Sequence, residues 1–333
     1  MTARWLPAAQ SIRPILDMYM DASVAVVGCS SGQTSRTSCE LDVLIVGADP
    51  RPPVSLKLGG AFVDLAFVTE KEVLRPPDPE HAVALASAKP VRDASMVLSA
   101  ASSAAAALLS ESCGKSATKR LASALKAVGR ADEALQKEAT AEADLWLLAG
   151  AYDFAYAFLY SKEEMPSPSH IFSQMKSRSA SSPAGFEAFC AAAGLEKTSR
   201  AACASRLEGV AVLSDLLAQV GSSSRRPAQL SNEGLAIVRA KAAELGARME
   251  HAECYSFLGL ELVGDVLSIP TSGRRSKRKG AGLGPDVGSL LTGEGRLLGE
   301  SLAADAGLTR TRESIKSAAS ALEAQISALA KVR

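Results

Sequence analysis

The chain has 333 residues, of which 47% are hydrophobic and 22% are charged, and its formal net charge is +1. A chain of this length can form two domains around sizeable cores, and this composition is typical of globular proteins and excludes a disordered chain. Because the net charge is close to zero, it gives no general attraction to nucleic acid or to a membrane surface, and any such attraction has to come from a local patch.

The apolar segments predict a protein that does not cross a membrane. The most apolar segment, residues 145–160, contains Asp153 and is too short for a membrane span. Residues 1–10 lack the apolar run of a secretory signal. The six cysteines are scattered and never form a Cys-x-x-Cys pair, which argues against a ribbon-type zinc site and favours a reducing compartment. We therefore expect a cytoplasmic protein.

The first part of the chain has the pattern of a domain that mixes helices and strands. Apolar residues at helical spacing predict a helix over residues 8–21. Apolar runs rich in β-branched residues then predict strands near residues 23–28, 41–46 and 61–68. Since a loop rich in Gly, Ser and Thr joins the first two runs, the order is strand, loop, strand.

Two short helices are expected after the third strand. Thr69 is placed to cap the first of them, which the prolines after Arg75 stop. The second is predicted over residues 81–89. Residues 89–93 contain a proline between charged residues and are expected to form a turn or an extended crossing into the second half of the chain.

Beyond residue 95 the composition changes to Ala, Leu, Lys and Glu, and apolar residues recur every three or four positions, which predicts helices. We therefore predict an α+β fold class, with a mixed sheet at the N-terminus and an all-helical domain after it. The expected units are a domain at 1–95, a helical domain at 96–265, a basic flexible linker at 266–284 and a C-terminal helical segment at 285–333.

Two features of the C-terminal part are open to more than one interpretation. Residues 274–279 carry five positive charges and no aromatic residue, so they are either a solvated linker or a weak electrostatic contact to nucleic acid. Leucine or isoleucine recurs every seven residues from Leu308 to Leu329, which predicts a seam that packs on another helix. We expect that helix to belong to the same chain.

Three acidic residues stand out because they lie in or next to apolar runs. Glu40 and Asp42 open the second predicted strand, where alternation turns both to one face, and Asp64 interrupts the third. A charged group within an apolar strand is costly to bury unless it is paired or binds a metal. If the two strands are neighbours, the three carboxylates converge and can hold Mg²⁺, whereas on an edge strand they would face water.

The order of these residues resembles the signature of the DNA polymerase β-like nucleotidyltransferase superfamily. Gly28-Cys29 stands where that signature has Gly-Ser, Cys39-Glu40-Leu41-Asp42 stands where it has Ser-Asp-hydrophobic-Asp, and Asp64 follows on a later strand. The resemblance covers about the first 95 residues. It implies a nucleotidyltransferase fold for the N-terminal domain, preceded by the helix that the periodicity predicts.

The resemblance also implies a reaction, in which a nucleoside monophosphate moves from a nucleoside triphosphate, expected to be ATP, to an acceptor hydroxyl. By resemblance, Glu40, Asp42 and Asp64 would be the catalytic residues and the ligands of Mg²⁺ or Mn²⁺. The phosphates would be held by the loop after the first strand, through Gly28, Cys29, Ser30, Ser31 and Arg36. The acceptor could be a small molecule, a protein side chain or an RNA end, and Asp153 is a candidate for its pocket.

A second function stays open from the same residues. Glu40 replaces the first Asp of the signature, and its extra methylene moves the carboxylate outward, whereas Mg²⁺ tolerates little departure from octahedral geometry. The alternative is therefore a catalytically inactive protein that keeps the fold to bind nucleotide or to scaffold a complex. The three histidines, His81, His170 and His251, have no ligand-type residue at a fixed spacing and are interpreted as surface or packing residues.

Overall fold

The computed structural model of the chain describes residues 5–31, 39–47, 51–58, 61–220, 232–267 and 303–331. In this part of the chain a mixed five-stranded sheet, close to the N-terminus, is followed by a region made mostly of helices. The α+β fold class predicted from the sequence is therefore confirmed. The terms sheet region and helical region are used below for residues up to 107 and for residues from 109 onward.

The sheet contains strands β1 to β5 in the spatial order β3-β4-β2-β1-β5. β2 and β4 are parallel, and all other neighbours are antiparallel. The three strands predicted from apolar runs are present, whereas β3 and β5 were not predicted, because both lie at the edges of the sheet and are mostly exposed. The strands are β1 (Ser23–Val26), β2 (Leu41–Val46), β3 (Val54–Leu58), β4 (Ala61–Val68) and β5 (Lys89–Arg92).

Helices cover both faces of the sheet. Alternate residues of β2 and β4 pack with Ile12 and Ile15 of the first helix, and the residues between them face a second cluster that includes Leu98. Thr69 caps its helix through a capping box with Glu72, as the sequence predicts. The helices of this region are α1 (Trp5–Met18), α2 (Glu70–Leu74), α3 (Pro79–Ala86) and α4 (Val97–Ala107).

The helical region is built around one helix that is apolar on almost every side. Residues 140–160 form this helix, and the aromatic side chains that the sequence concentrates there belong to the main core, together with the helices packed around it. The helices are α5 (Leu109–Gln136), α6 (Thr140–Tyr160), α7 (Ile171–Arg178), α8 (Pro183–Ala193), α9 (Arg200–Val220), α10 (Asn232–Ala247), α11 (His251–Leu267) and α12 (Arg312–Lys331). Among the described residues, no helix is both long and apolar enough to cross a membrane.

The last helix, α12, packs on α5, α6 and α8 of the same chain. Ile315 and Leu322 are fully buried there, as the seven-residue spacing predicts, although the helix begins at Arg312 and Leu308 is buried just before it. A Cβ atom built on Gly150 of α6 would lie 3.6 Å from Leu322, so the two helices are close together. The basic segment 274–279 lies outside the described residues.

Replacing Leu322 by alanine should destabilise the protein by about 2–5 kcal/mol, because it leaves a cavity where α12 meets α6. Leu125→Ala is the matched control, since Leu125 lies on α5 with 48% of its surface exposed, and it should change the free energy of unfolding by no more than about 0.5 kcal/mol. Urea unfolding followed by circular dichroism measures both. Equal losses in the two variants would contradict the packing of α12.

Candidate functional site

The sheet brings the three predicted acids together. Asp42 on β2 lies directly opposite Asp64 on β4, and Glu40 immediately precedes β2. One carboxylate oxygen of each residue lies within 4.8 Å of the others. Three carboxylates at this separation repel one another strongly unless positive charge lies among them. Glu40, Asp42 and Asp64 are called the acid cluster below.

Burial and mutual repulsion change the acidity of the acid cluster. Burial raises the pKa of Asp42 well above its ordinary value, and the carboxylates of Glu40 and Asp64 raise it further. Burial also raises the pKa of Asp64, although a hydrogen bond with Ser55 acts in the opposite direction. Both acids are therefore harder to ionise than a surface aspartate, and a nearby cation would favour their charged forms.

One oxygen of the acid cluster is suited to a cation. Asp64 Oδ1 is buried and has no hydrogen-bond partner among the described residues. A buried carboxylate oxygen without a donor is costly, and a metal ion would remove that cost. Because the cluster offers only oxygen atoms, the residues fit a hard divalent ion such as Mg²⁺ or Mn²⁺.

The helical region contributes a cation that sequence reasoning missed. Lys241 on α10 is 4% exposed. Its ammonium forms an ion pair with Glu40 and donates to Ser169 Oγ at 2.8 Å. Burial lowers the pKa of Lys241, but the Glu40 carboxylate outweighs that effect and the net pKa is raised, so the ammonium stays charged.

The sequence carried a signal for Lys241. It lies three residues after Val238 and four before Leu245, on the stripe of α10 that is buried. A charged residue on such a stripe predicts a buried partner of opposite sign. The partner itself could not be identified, because about 200 residues separate α10 from Glu40 and only tertiary packing joins them.

Gly28 makes the closest approach of the loop to the acid cluster. Its φ is +69°, and a Cβ atom at this position would lie 2.2 Å from Asp42 Oδ2. Glycine is therefore required both by the backbone conformation and by space. The backbone from Gly28 to Ser31 forms a 3₁₀ turn that contains Cys29, Ser30 and Ser31. The remaining predicted phosphate ligand, Arg36, lies outside the described residues.

A second group of ligand-type residues lies beside the acid cluster. Cys39 Sγ is 3.0 Å from His170 Nε2, and these two atoms lie within 4.8 Å of Cys29 Sγ. A hydrogen bond between the two thiols, and then burial, raises the pKa of Cys29, which therefore stays protonated. His170 is buried, in agreement with its interpretation as a packing residue, but it also contacts Cys39, which no spacing in the sequence indicates because the two residues are 131 positions apart.

Asp153, the candidate for an acceptor pocket, lines a cavity of about 330 Å³ in the helical region. Its partner is Arg120, which donates to Asp153 Oδ1 at 2.8 Å and also to both oxygens of Glu80. Tyr156 and Pro168 line the same cavity. Pro168 precedes Ser169, which accepts the hydrogen bond of Lys241, so one lining residue of the cavity is next to a residue that contacts Lys241.

Comparisons with known proteins give little independent information. No protein-family model matches the chain, and no curated protein matches it. A solved structure that resembles it is a nucleotidyltransferase-like protein from Exiguobacterium sibiricum 255-15, with a TM-score of 0.34 and 12% identity, over 74% of this chain and 78% of that chain. Similarity at this level establishes neither a family nor an activity, so the site's own residues have to define what the chain does.

Replacing Gly28 by alanine should destabilise the fold more than the same change at Gly47. Both glycines have positive φ, +69° and +91°, so both variants carry a backbone strain of about 1–3 kcal/mol. Only at Gly28 does the new methyl group meet Asp42, whereas at Gly47 no atom of the described residues lies within 4 Å. We expect an additional loss of at least about 1 kcal/mol for Gly28→Ala in urea unfolding. Equal losses would show that Gly28 does not contact Asp42.

Replacing Asp42 by asparagine should stabilise the protein in the absence of metal. Because the folded-state pKa of Asp42 is raised, its contribution to stability is full below the ordinary value of 3.8 and is lost as the pH rises through the raised pKa. The variant should therefore melt at a higher temperature than the wild type at about pH 8 with a chelator present. Its melting temperature should also fall less than that of the wild type between about pH 5 and about pH 8.

The control for this measurement is Asp17→Asn, which removes an exposed aspartate of α1. Differential scanning fluorimetry at several pH values, with a chelator throughout, compares the three proteins. If Asp42→Asn keeps the pH dependence of the wild type, Asp42 is not the buried, repelled carboxylate described above.

Proposed function

We propose that this chain is a metal-dependent nucleotidyltransferase, which moves a nucleoside monophosphate from a nucleoside triphosphate to an acceptor hydroxyl. The observation that carries the proposal is the acid cluster, in which Asp42 and Asp64 are neighbours on parallel strands and Asp64 Oδ1 is buried with no hydrogen-bond donor among the described residues. Carboxylates in such a cluster, together with the triphosphate of a substrate, are the ligand set that Mg²⁺ takes in phosphate chemistry.

Asp42 and Asp64 would hold the metal, with Glu40 beside them. When bound, Mg²⁺ or Mn²⁺ supplies Lewis-acid stabilisation of the triphosphate and lowers the pKa of a hydroxyl that it contacts. Asp64 would also be the general base that takes the proton of the acceptor hydroxyl. The reaction otherwise requires positioning and charge stabilisation from the protein.

The turn at Gly28–Ser31 is proposed to hold the phosphates. A backbone with positive φ at Gly28 lets the chain pass close to Asp42, so a phosphate bound at the turn would lie next to the acid cluster. The hydroxyls of Ser30 and Ser31 and the guanidinium of Arg36 are proposed to complete the contacts. ATP is the expected nucleotide.

The acceptor is proposed to enter through the cavity that Asp153 lines. That cavity combines aromatic rings with both signs of charge, from Tyr156, Arg120 and Glu261. A mixed lining of this kind suits a small polar molecule with hydroxyl groups better than an apolar one. A protein side chain and an RNA end are the two other acceptors, because each also presents a hydroxyl.

One observation favours the inactive alternative. Lys241 places a buried ammonium on Glu40, at the position where a metal ligand is expected. An internal ammonium can offset the repulsion within the acid cluster without any metal. In that case the chain would keep the fold to bind nucleotide or to scaffold a complex, and Lys241 would be the residue that replaced the ion.

The two functions are separated by thermal unfolding with MgCl₂ and each of the four nucleoside triphosphates. A ligand that binds only the folded state raises the melting temperature. At a concentration 100 times its dissociation constant, it raises the free energy of unfolding by about 2.7 kcal/mol. For an enzyme, the rise should require metal and nucleotide together, should be lost in Asp42→Asn and should persist in Asp17→Asn. Nucleotides that pass this test would then be used with α-labelled phosphate to search for labelled products.

Comparing Lys241→Gln with the wild type separates the two cases. If Lys241 has replaced the metal, the wild type shows no rise that depends on Mg²⁺, and removal of the ammonium creates one. If the chain is a metal-dependent transferase, the wild type already shows the rise. No response to any nucleotide in either protein would remove both versions of the nucleotide proposal.

A further inference from the structure

We infer that Cys29, Cys39 and His170 form a second metal site, which takes a thiophilic divalent ion of the Zn²⁺ class. These three residues are called the thiol–imidazole cluster. The inference does not depend on the proposed transfer reaction, because it involves other ligand atoms and another class of ion. The cluster lies beside the acid cluster, since Cys29 follows Gly28 and Cys39 precedes Glu40.

The separations of the three ligand atoms are close to those that zinc requires. Zn–S bonds of about 2.3 Å and Zn–N bonds of about 2.0 Å place the ligands of a tetrahedral ion about 3.4–3.8 Å apart. Cys39 Sγ and His170 Nε2 are 3.0 Å apart, and each of the three ligand atoms lies within 4.8 Å of the others. Shifts of less than about 1 Å, within the reach of side-chain rotation, would bring all three to one ion.

The ligand types separate the two neighbouring sites by the ions they prefer. Two sulfurs and one imidazole nitrogen favour Zn²⁺ and similar ions, whereas the carboxylate oxygens of the acid cluster favour Mg²⁺ or Mn²⁺. Three protein ligands leave one position of a tetrahedral ion open for water or another oxygen. Selection by ligand softness therefore allows both ions to bind side by side.

His170 is held in place before any ion binds. It is 2% exposed and ends the 3₁₀ turn Pro168–His170. The start of that turn is fixed by Gln174, whose side-chain oxygen accepts from the backbone N–H of Ser167 at 2.9 Å and whose amide donates to Met165 O at 2.9 Å. A buried imidazole in a fixed position loses little conformational freedom on binding, which favours metal affinity.

The surroundings of the cluster favour a cation. The carboxylates of Glu40 and Asp42 both act on the thiol of Cys29 and favour a cation there, whereas the ammonium of Lys241, paired with Glu40, also acts on Cys39 and opposes one. Two thiolates without a cation would add further negative charge to this place, whereas a divalent ion bound to them balances their charge. The same carboxylates disfavour the binding of an anion at these residues.

A bound ion would join the two regions of the chain at the acid cluster. Cys29 and Cys39 belong to the sheet region and flank residues 30–38, whereas His170 belongs to the helical region. Since Glu40 follows Cys39 directly, an ion held by Cys39 and His170 would fix the backbone at the start of β2. We therefore assign the site a structural role that positions the acid cluster relative to the cavity of the helical region.

The proximity of the two thiols alone would also suit a disulfide, formed when an oxidant of the peroxide class takes two electrons and two protons from them. That reading leaves the buried imidazole 3.0 Å from Cys39 without a function. A metal site uses all three side chains. The disulfide is an outcome of the experiment below.

The test is a titration of the full chain with Co²⁺, followed by Zn²⁺, after purification with reductant and removal of metal by a chelator. Using Asp42→Asn as the background keeps Co²⁺ out of the acid cluster. We expect one Co²⁺ per chain, with absorption bands of thiolate-to-cobalt charge transfer and of tetrahedral coordination, and we expect Zn²⁺ to abolish both bands. Cys29→Ser and Cys39→Ser each replace one sulfur atom by oxygen. Each should weaken Co²⁺ binding at least about 100-fold, because the loss of a direct ligand should cost no less than the loss of a residue that supports a ligand, which costs up to about 100-fold.

Cys190→Ser is the matched control, since Cys190 is a half-buried thiol of α8 outside the cluster, and it should bind Co²⁺ as the background protein does. Melting temperatures without metal verify that each serine variant folds. His170→Asn should weaken or abolish the charge-transfer band. Co²⁺ binding without charge-transfer bands would overturn the inference, as would bands that survive both serine changes. A reduced protein that binds no Co²⁺ and loses two hydrogens per chain on exposure to peroxide would replace the metal site by a disulfide.

Discussion

Charge compensation at the acid cluster is the constraint on which the arrangement of this protein depends. Asp42 and Asp64 are held face to face by the parallel pairing of β2 and β4, and Glu40 lies within 4.8 Å of them. Their repulsion opposes folding unless positive charge reaches the same place. The ion pair between Glu40 and Lys241 supplies positive charge from the helical region.

This requirement links the two regions of the chain. Lys241 lies on α10, and its ammonium contacts Glu40 and also Ser169 of the turn before α7. One ammonium therefore connects the start of the central strand β2 to two elements of the helical region. His170, next to Ser169, contacts Cys39, which is next to Glu40. Both contacts therefore fall on neighbouring residues, and the place where the regions meet is also the place where the chemistry is proposed.

The same junction explains why metal and lysine are alternatives with different consequences. A lysine ammonium offsets one negative charge and cannot bring a triphosphate to the carboxylates, whereas a divalent ion does both. The charge of Lys241 lowers the pKa of both aspartates, but burial outweighs it and both pKa values stay raised, and Asp64 Oδ1 has no hydrogen-bond partner among the described residues. The lysine therefore compensates the acid cluster only in part.

The sequence by itself determined the local elements and the chemical types of the acid cluster. The apolar runs broken by Asp42 and Asp64 predicted the strands β2 and β4, and alternation along β2 predicted that Asp42 lies on the face opposite Leu41 and Val43. The capping box at Thr69 was likewise readable, since its partners are three residues apart. The edge strands β3 and β5 were not, because an exposed strand has few apolar residues to set its pattern.

The tertiary structure alone decided which residues complete the site. Three such contacts join residues that are far apart in the chain. They are the pairing of β4 with β2, the ion pair of Lys241 with Glu40 and the contact of His170 with Cys39. No spacing rule predicts such pairs, because their energies arise only after the intervening helices have packed. A lysine on a buried helix stripe and an isolated histidine signal that partners exist, and the fold determines which partners they are.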